Sequence, residues 1–318
     1  MSERPRRSHV VYVARSLLLD QAAVTAVGHL AAAGVPSILL KGAAIATWLY
    51  DEGELRPYGD IDLLVRGAQF ETATELLAEL GYTYPLLGAH PAELGPKERE
   101  LRGPNGVWID LHHGLIGVPA PPHQLWDTLA QHTVALTLSG GSDVRVLDRP
   151  ARAMHLALHA AQDGLIDLKA LADLGRGVTK VGRDEWQAAA KLAEELGATE
   201  AFSAGLRLVP AGAALAEELA LPRRMSVELA LRTRSDPQDA IFFVRLAETS
   251  GARAKAALVA RKLFPTTVYL RANSALAVRG RFGLAVTRLG RLLSLAKRLG
   301  PAFAAWRRAR RITTSGDS

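Results

Sequence analysis

Residues 60–65 read DIDLLV, two aspartates one residue apart inside an apolar run. Few six-residue stretches restrict a fold more tightly. The alternation predicts a strand, with successive side chains on opposite faces. Asp60 and Asp62 then point one way, while Ile61, Leu63 and Val65 point the other, into a core. Residues 106–115, GVWIDLHHGL, predict a second strand with Asp110 between Ile109 and Leu111. If the two strands are neighbours, three carboxylates meet on one face. They repel one another unless something positive lies between them.

A hard divalent cation with oxygen ligands answers that repulsion, and Mg²⁺ keeps open positions for phosphate oxygens. Two such ions can activate a hydroxyl and steady a leaving pyrophosphate. The ordinary alternative is a solvated strand face, on which a DxD pair is common. Context favours the metal reading. Upstream, PSILLKG (36–42) predicts a strand and turn, and AAIATWLYD (43–51) a helix. Gly42 lets backbone approach a ligand at the start of a helix, where amides attract phosphate. Lys41 adds a point charge suited to polyphosphate. Arg56, in the turn-rich loop EGELRPYG (52–59), has the fork to grip a phosphate. For Lys41 and Arg56 the alternative is an ordinary solvated charge.

Around this centre, residues 9–33 have helical spacing and stop at Gly34. Residues 68–81 predict an amphipathic helix, and 85–105 a loop with a charged hairpin. The Pro-rich segment VPAPPHQLW (118–126) reads as a boundary. Beyond it, helical patterns cover 150–163, 165–181, 184–197, 199–220, 224–233 and 236–249, with one short strand near 143–147. The reading is an α/β (α+β) core over residues 1–120, a helical domain over 121–260 and a basic helical tail over 261–318.

His155, His159 and Asp163 recur four residues apart and share one helix face. HxxxH can bind zinc, but no third ligand is evident, and a helix packed over a polar cleft explains the spacing better. On that reading His155 and His159 are satisfied side chains facing the cleft, and contact with a nucleotide or acceptor is the alternative. Lys169 and Asp173 read as an ordinary helix ion pair. His112 shares a face with Asp110 and borders the same site.

With 318 residues and 48% hydrophobic content, the chain can bury a sizeable core without staples. A net charge of +7 favours phosphates, nucleic acid or anionic lipid without naming one. There are no cysteines, which excludes disulfides and thiolate metal sites. The N-terminus does not read as a signal peptide, and no stretch approaches about 18 uninterrupted apolar residues. A cytoplasmic protein is expected, membrane-peripheral if its tail binds a surface. That tail, 281–312, is amphipathic, with Phe282, Val286, Leu289, Leu293 and Leu299 near one stripe and arginines around them. It suits an anionic membrane surface, an RNA backbone, or a packed terminal helix with a solvated basic end.

Taken together, LLKGAAIATWLY, RPYGDIDLLV and WIDLHHGL resemble the nucleotidyltransferase superfamily with the DNA polymerase β fold. They are most similar to a poorly characterised bacterial branch that carries LKG where most relatives carry Gly-Ser or Gly-Gly. The likeness covers about residues 9–116 well, and MHLALHAAQDGLIDLKALADL (154–174) and LFPTTVYLR (263–271) less specifically. It implies a small mixed sheet flanked by helices, a nucleoside triphosphate, expected to be ATP, and two Mg²⁺ ions, with Mn²⁺ as a substitute. By resemblance, Asp60 and Asp62 hold metal, and Asp110 is the third ligand and the base for the acceptor hydroxyl. Lys41 and Gly42 cradle the triphosphate. The expected reaction moves a nucleoside monophosphate to a protein or peptide side chain, a small molecule or an RNA end. The rival is a non-catalytic module that binds nucleotide, nucleic acid or a membrane surface. The sparse aromatics, 6%, give base stacking little support.

Overall fold

The computed structural model describes residues 3–86, 89, 97–234, 236–237 and 239–315. Its centre is a six-stranded mixed sheet built from β1 (Ser37–Leu39), β2 (Ile61–Val65), β3 (Glu98–Arg102), β4 (Trp108–His112), β5 (Thr133–Thr137) and β6 (Asp143–Leu147). The order across the sheet is β3-β4-β2-β1-β6-β5. β2 runs parallel to β4 and antiparallel to β1, and β1 runs parallel to β6. The parallel register sets Asp62 beside Asp110, which answers the condition set by the two Asp-bearing segments.

Fourteen helices accompany the sheet among the described residues. Those of the first part are α1 (Glu3–Ala32), α2 (Ala43–Leu49), α3 (Phe70–Glu79) and α4 (Pro122–Leu129). Five follow the sheet: α5 (Arg149–Asp163), α6 (Leu168–Lys180), α7 (Arg183–Glu195), α8 (Thr199–Leu206) and α9 (Pro210–Glu218). The last five are α10 (Val227–Thr233), α11 (Asp239–Glu248), α12 (Ala252–Leu263), α13 (Thr267–Asn273) and α14 (Gly280–Ser315).

β2 is buried on both faces, so its alternation sorts residues between two cores rather than between core and solvent. Ile61, Leu63 and Val65 pack with Leu19, Ala26 and Leu30 of α1 and with Ala73 and Leu77 of α3. Leu64, on the Asp62 face, packs in a second core with Ile45 and Leu49 of α2 and Met154 of α5. α5 is the pillar of that second core. Asp148 caps it by accepting from Ala151 N at 2.9 Å, and Gly164 stops it with φ of 61°. α8 lies tightly against it. A Cβ on Gly205 would sit 1.8 Å from the Ala157 carbonyl oxygen, which only a glycine avoids.

Several expectations are corrected. Residues 98–102, expected in a loop, form the edge strand β3 against β4; positions 87–88 and 90–96 of the expected hairpin lie outside the described residues. The sheet does not end at the Pro-rich segment, because β5 and β6 return to pair at β1. The single helix expected over 199–220 is two, α8 and α9, since Pro210 starts a new helix. The tail forms α14, but Phe282, Leu289 and Leu293 of the expected apolar stripe are exposed. α14 packs instead through Ala302, Ala305 and Ala309 against Ala230, Leu231, Ala240 and Val244 of α10 and α11. Small side chains let those backbones approach closely.

Val10–Ala32 within α1 is long and apolar enough to cross a membrane by length and composition, with mean hydropathy 1.4. The expectation counted uninterrupted apolar residues, and Arg15 and Asp20 interrupt this one. Leu19, Ala23, Ala26 and Leu30 are buried against the sheet, whereas Val10, Val11 and Tyr12 are exposed.

The α5–α8 contact gives a direct test of the packing. Gly205→Ala is expected to destabilise the protein by about 3 kcal/mol in urea denaturation, the upper range for forcing a methyl into a filled core. A change within about 0.5 kcal/mol, the usual size at an unconstrained surface position, would contradict the close approach.

Candidate active site

The ends of β1, β2 and β4 open onto a cavity of 280 Å³. Of the residues singled out from the sequence, Lys41, Gly42, Arg56, Asp60, Asp62, Asp110, His112, His155, His159, Asp163 and Lys169 line it, and Asp173 does not. Residues 100 positions apart in the chain meet there because two strands and a helix face converge. The wall is strongly acidic. It holds seven carboxylates against three side-chain cations, since Glu98, Glu100, Asp163 and Asp167 join the three aspartates.

Asp62 is the most deeply placed of them, at 1% exposure. Lys41 Nζ lies 2.8 Å from its Oδ1, and His112 Nε2 lies 3.2 Å from the same atom. Burial alone would raise this carboxyl, but the Lys41 ammonium and His112 outweigh burial and hold it far below the usual range. Lys41 responds in kind. Burial opposes its charge, yet Asp62 raises its pKa above the ordinary lysine value. Asp110 lacks such a counterion, and burial with the neighbouring Asp62 charge pushes it up to about 7.

Gly42 has φ of 63°, a conformation that favours glycine, and a Cβ there would lie 3.3 Å from the Tyr58 ring. The turn is held from two sides. Tyr58 donates to Asp20 on α1 at 2.6 Å, and Arg15 of α1 donates to the Gly59 carbonyl at 3.2 Å. From the other side Arg56 reaches the Gly42 carbonyl at 3.4 Å.

Arg56 departs from both sequence readings. It is buried, and its fork is committed to Asp173 through Nε at 2.9 Å and Nη2 at 2.6 Å. A dehydrated guanidinium needs a carboxylate, and α6 supplies one. Asp173 also accepts from Tyr50 at 2.8 Å. The expected Lys169–Asp173 helix pair is therefore corrected: Asp173 belongs to Arg56, and Lys169 lines the cavity mouth.

His155 and His159 line the cavity from α5. Burial, then the Lys41 charge, lowers His155 to about 3 and His159 well below the ordinary histidine value, so both are neutral. His155 Nδ1 is buried with no hydrogen-bond partner, which leaves it available to a ligand. A third group beside His159 and Asp163, not foreseen in the sequence, is Asp167, and ligand atoms of the three lie within 4.8 Å of one another. Asp167 is already engaged as the cap of α6, accepting from Lys169 N at 2.9 Å and Ala170 N at 3.1 Å.

Sequence reasoning also missed Glu98 and Glu100, because β3 reads as a charged loop, and the supports Asp20, Tyr58 and Asp173. The only signals for the supports were their burial partners, which lie 38 to 123 positions away.

Asp60, Asp62 and Asp110 offer the hard oxygens that a divalent cation takes, and all three line the cavity; among the described residues, the group whose ligand atoms already lie within 4.8 Å of one another is His159, Asp163 and Asp167.

The family model described as "Uncharacterised nucleotidyltransferase" matches residues 2–211, about two thirds of the chain. The chain belongs to that family. No curated protein matches it. Among solved structures, the antibiotic-resistance factor ANT(2'')-Ia shares 17% identity over 57% of this chain and 96% of its own, with a TM-score of 0.38. A nucleotidyltransferase-like antigen from Paracoccidioides brasiliensis shares 15% over 58% and 91%, with a TM-score of 0.33. The lincosamide antibiotic adenylyltransferase LnuA shares 16% over 46% and 89%, with a TM-score of 0.32. Overlaps this low add nothing to the family match.

Two predictions follow from the charges. Asp173→Ala strands Arg56 in the interior and is expected to cost about 3–5 kcal/mol; Arg56→Met with Asp173→Leu should lose less than the sum of the single changes. Additive losses would mean the pair is not coupled. Folded Asp110 keeps a proton that the unfolded chain releases between the ordinary carboxylate range and about 7. Its stabilising contribution is therefore present at low pH and lost as pH rises to that value. In EDTA, the melting temperature of the wild type relative to Asp110→Asn should fall from about pH 5 to about pH 8. A constant difference would contradict the raised carboxyl.

Proposed function

Starting from membership of the nucleotidyltransferase family, we propose that this chain transfers a nucleoside monophosphate, with AMP the expected one, from a triphosphate to an acceptor hydroxyl, releasing pyrophosphate. The observation that carries the reading is the parallel register of Asp62 and Asp110 in an acidic cavity. Seven carboxylates would repel a triphosphate unless cations intervene. Asp60, Asp62 and Asp110 would hold Mg²⁺, which when bound neutralises phosphate charge and favours in-line displacement.

The chain's own groups have separable tasks. Lys41 pairs with Asp62 in the free protein and lies where it can turn to a phosphate oxygen. Gly42 brings backbone close to the same group because no Cβ intervenes. Arg56, locked to Asp173, fixes the Gly42 carbonyl and so shapes the turn. Neutral His155 and His159 offer hydrogen bonds without adding charge. Asp110 is raised in the free protein by burial and the Asp62 charge; a bound cation would offset that repulsion and keep it ionised, the state in which it can accept a proton. In the step, the acceptor oxygen bonds to the α-phosphorus as the bond to the bridging oxygen breaks. The hydroxyl proton goes to Asp110 and the electron pair leaves with pyrophosphate.

The test is label transfer from each α-³²P-labelled triphosphate in a cell extract, with pyrophosphate measured alongside. Wild type with Mg²⁺ should transfer label from ATP, EDTA should abolish transfer, and Asp62→Asn should reduce it at least roughly a thousandfold. Transfer that survives both EDTA and Asp62→Asn would refute the assignment. Metal-dependent nucleotide binding with no transfer would favour the non-catalytic module.

A further inference from the structure

Two more cavities lie beyond the acidic one, and shared wall residues join the three in a row. Ile116 and Gln162 line both the acidic cavity and a second of 440 Å³. That second cavity has an apolar side formed by Val118, Pro119, Leu158, Ala201 and Leu229, with Lys97, Glu200 and Glu228 among its other wall residues. Arg232 and Arg245 line both it and a third cavity of 330 Å³. The third lies wholly among α10–α14, outside the residues matched by the family model.

Its wall is cationic. Arg232, Arg245, Arg261, Lys262 and Arg291 face it, and no carboxylate does. Glu228 holds Arg232 at 2.8 Å and Asp239 holds Lys262 at 2.6 Å. Among the described residues, Arg245, Arg261 and Arg291 have no carboxylate partner. The Arg291 guanidinium lies over the Tyr269 ring at 5.3 Å, and its Nε is buried with no hydrogen-bond acceptor. A buried donor left unpaired is costly. Like charges around one small space also repel unless an anion sits among them. Guanidinium forks match the oxygens of a phosphate.

We propose that the third cavity binds a phosphate-type dianion, and that this dianion belongs to the acceptor. The acceptor is then a phosphorylated small molecule whose apolar body fills the second cavity and whose hydroxyl reaches Asp110. The acceptor assignment rests on the nucleotidyl-transfer reading; the anion site does not. A volume of 440 Å³ is the size of a small-molecule pocket.

Calorimetric titration of the whole chain with inorganic phosphate, in EDTA, tests the anion site. Wild type should show saturable binding, weakened about tenfold or more by Arg261→Met and left within about twofold by Lys191→Met, which removes an exposed cation of α7 that lines none of the three cavities. Arg261 is exposed, so its replacement spares the fold. No saturable binding, or binding undiminished in Arg261→Met, would overturn the site. The second arm is label transfer from α-³²P-ATP into the small-molecule fraction of a cell extract. Arg261→Met should lower it about tenfold or more, with nucleotide binding unchanged. Undiminished transfer, or label entering protein or RNA, would overturn the acceptor assignment. No transfer by wild type would instead defeat the nucleotidyl-transfer reading, while the phosphate titration still decides the anion site.

Discussion

The contact between Lys41 and Asp62 is the constraint around which the site is organised. A carboxylate at 1% exposure is tolerable only with a positive partner and hydrogen bonds in place. Lys41 supplies the charge at 2.8 Å from the end of β1, and His112 adds a second contact from β4. Three adjacent strands thus converge on one carboxylate. The same arrangement leaves Asp110, its neighbour in register, without a counterion. The fold stabilises one aspartate and leaves the next one seeking a cation.

A second buried pair, Arg56 with Asp173, does similar work at the other edge of the cavity. It ties the loop before β2 to α6, and with Tyr58 and Asp20 it fixes the Lys-Gly turn from two sides. Neither pair needs a large net energy to matter. Removing one member leaves a buried charge alone, and that penalty keeps the loop and turn in one arrangement. A cavity with seven carboxylates can persist in a folded chain because its charged floor is pinned by such contacts rather than by apolar packing alone.

Much of this was legible in the sequence. The aspartates in two strands, the Lys-Gly turn and the histidines on one face are local patterns, and each landed at the cavity wall. Strand alternation misled in one respect, because β2 is buried on both faces and its polar side is also a core. β3 was illegible because an edge strand rich in charge carries no apolar period. β5 followed a Pro-rich segment that marks a helix start rather than the end of the sheet. Arg56 could not be resolved between phosphate and solvent, since its partner Asp173 lies 117 positions away. The apolar stripe of α14 pointed outward because alanines, with little hydrophobic signal, make the close contact. Periodicity reports which elements form; pairings across a hundred residues come only from the fold.

The most direct measurement is a Mn²⁺ titration followed by the electron paramagnetic resonance of the free ion, with and without a non-hydrolysable ATP analogue. The account predicts saturable Mn²⁺ binding by the wild type, tighter with the analogue than the analogue alone provides. It predicts loss of that binding in Asp60→Asn/Asp62→Asn, with the circular dichroism of the fold retained. Mn²⁺ binding unchanged in that variant would show that Asp60 and Asp62 do not form the metal site.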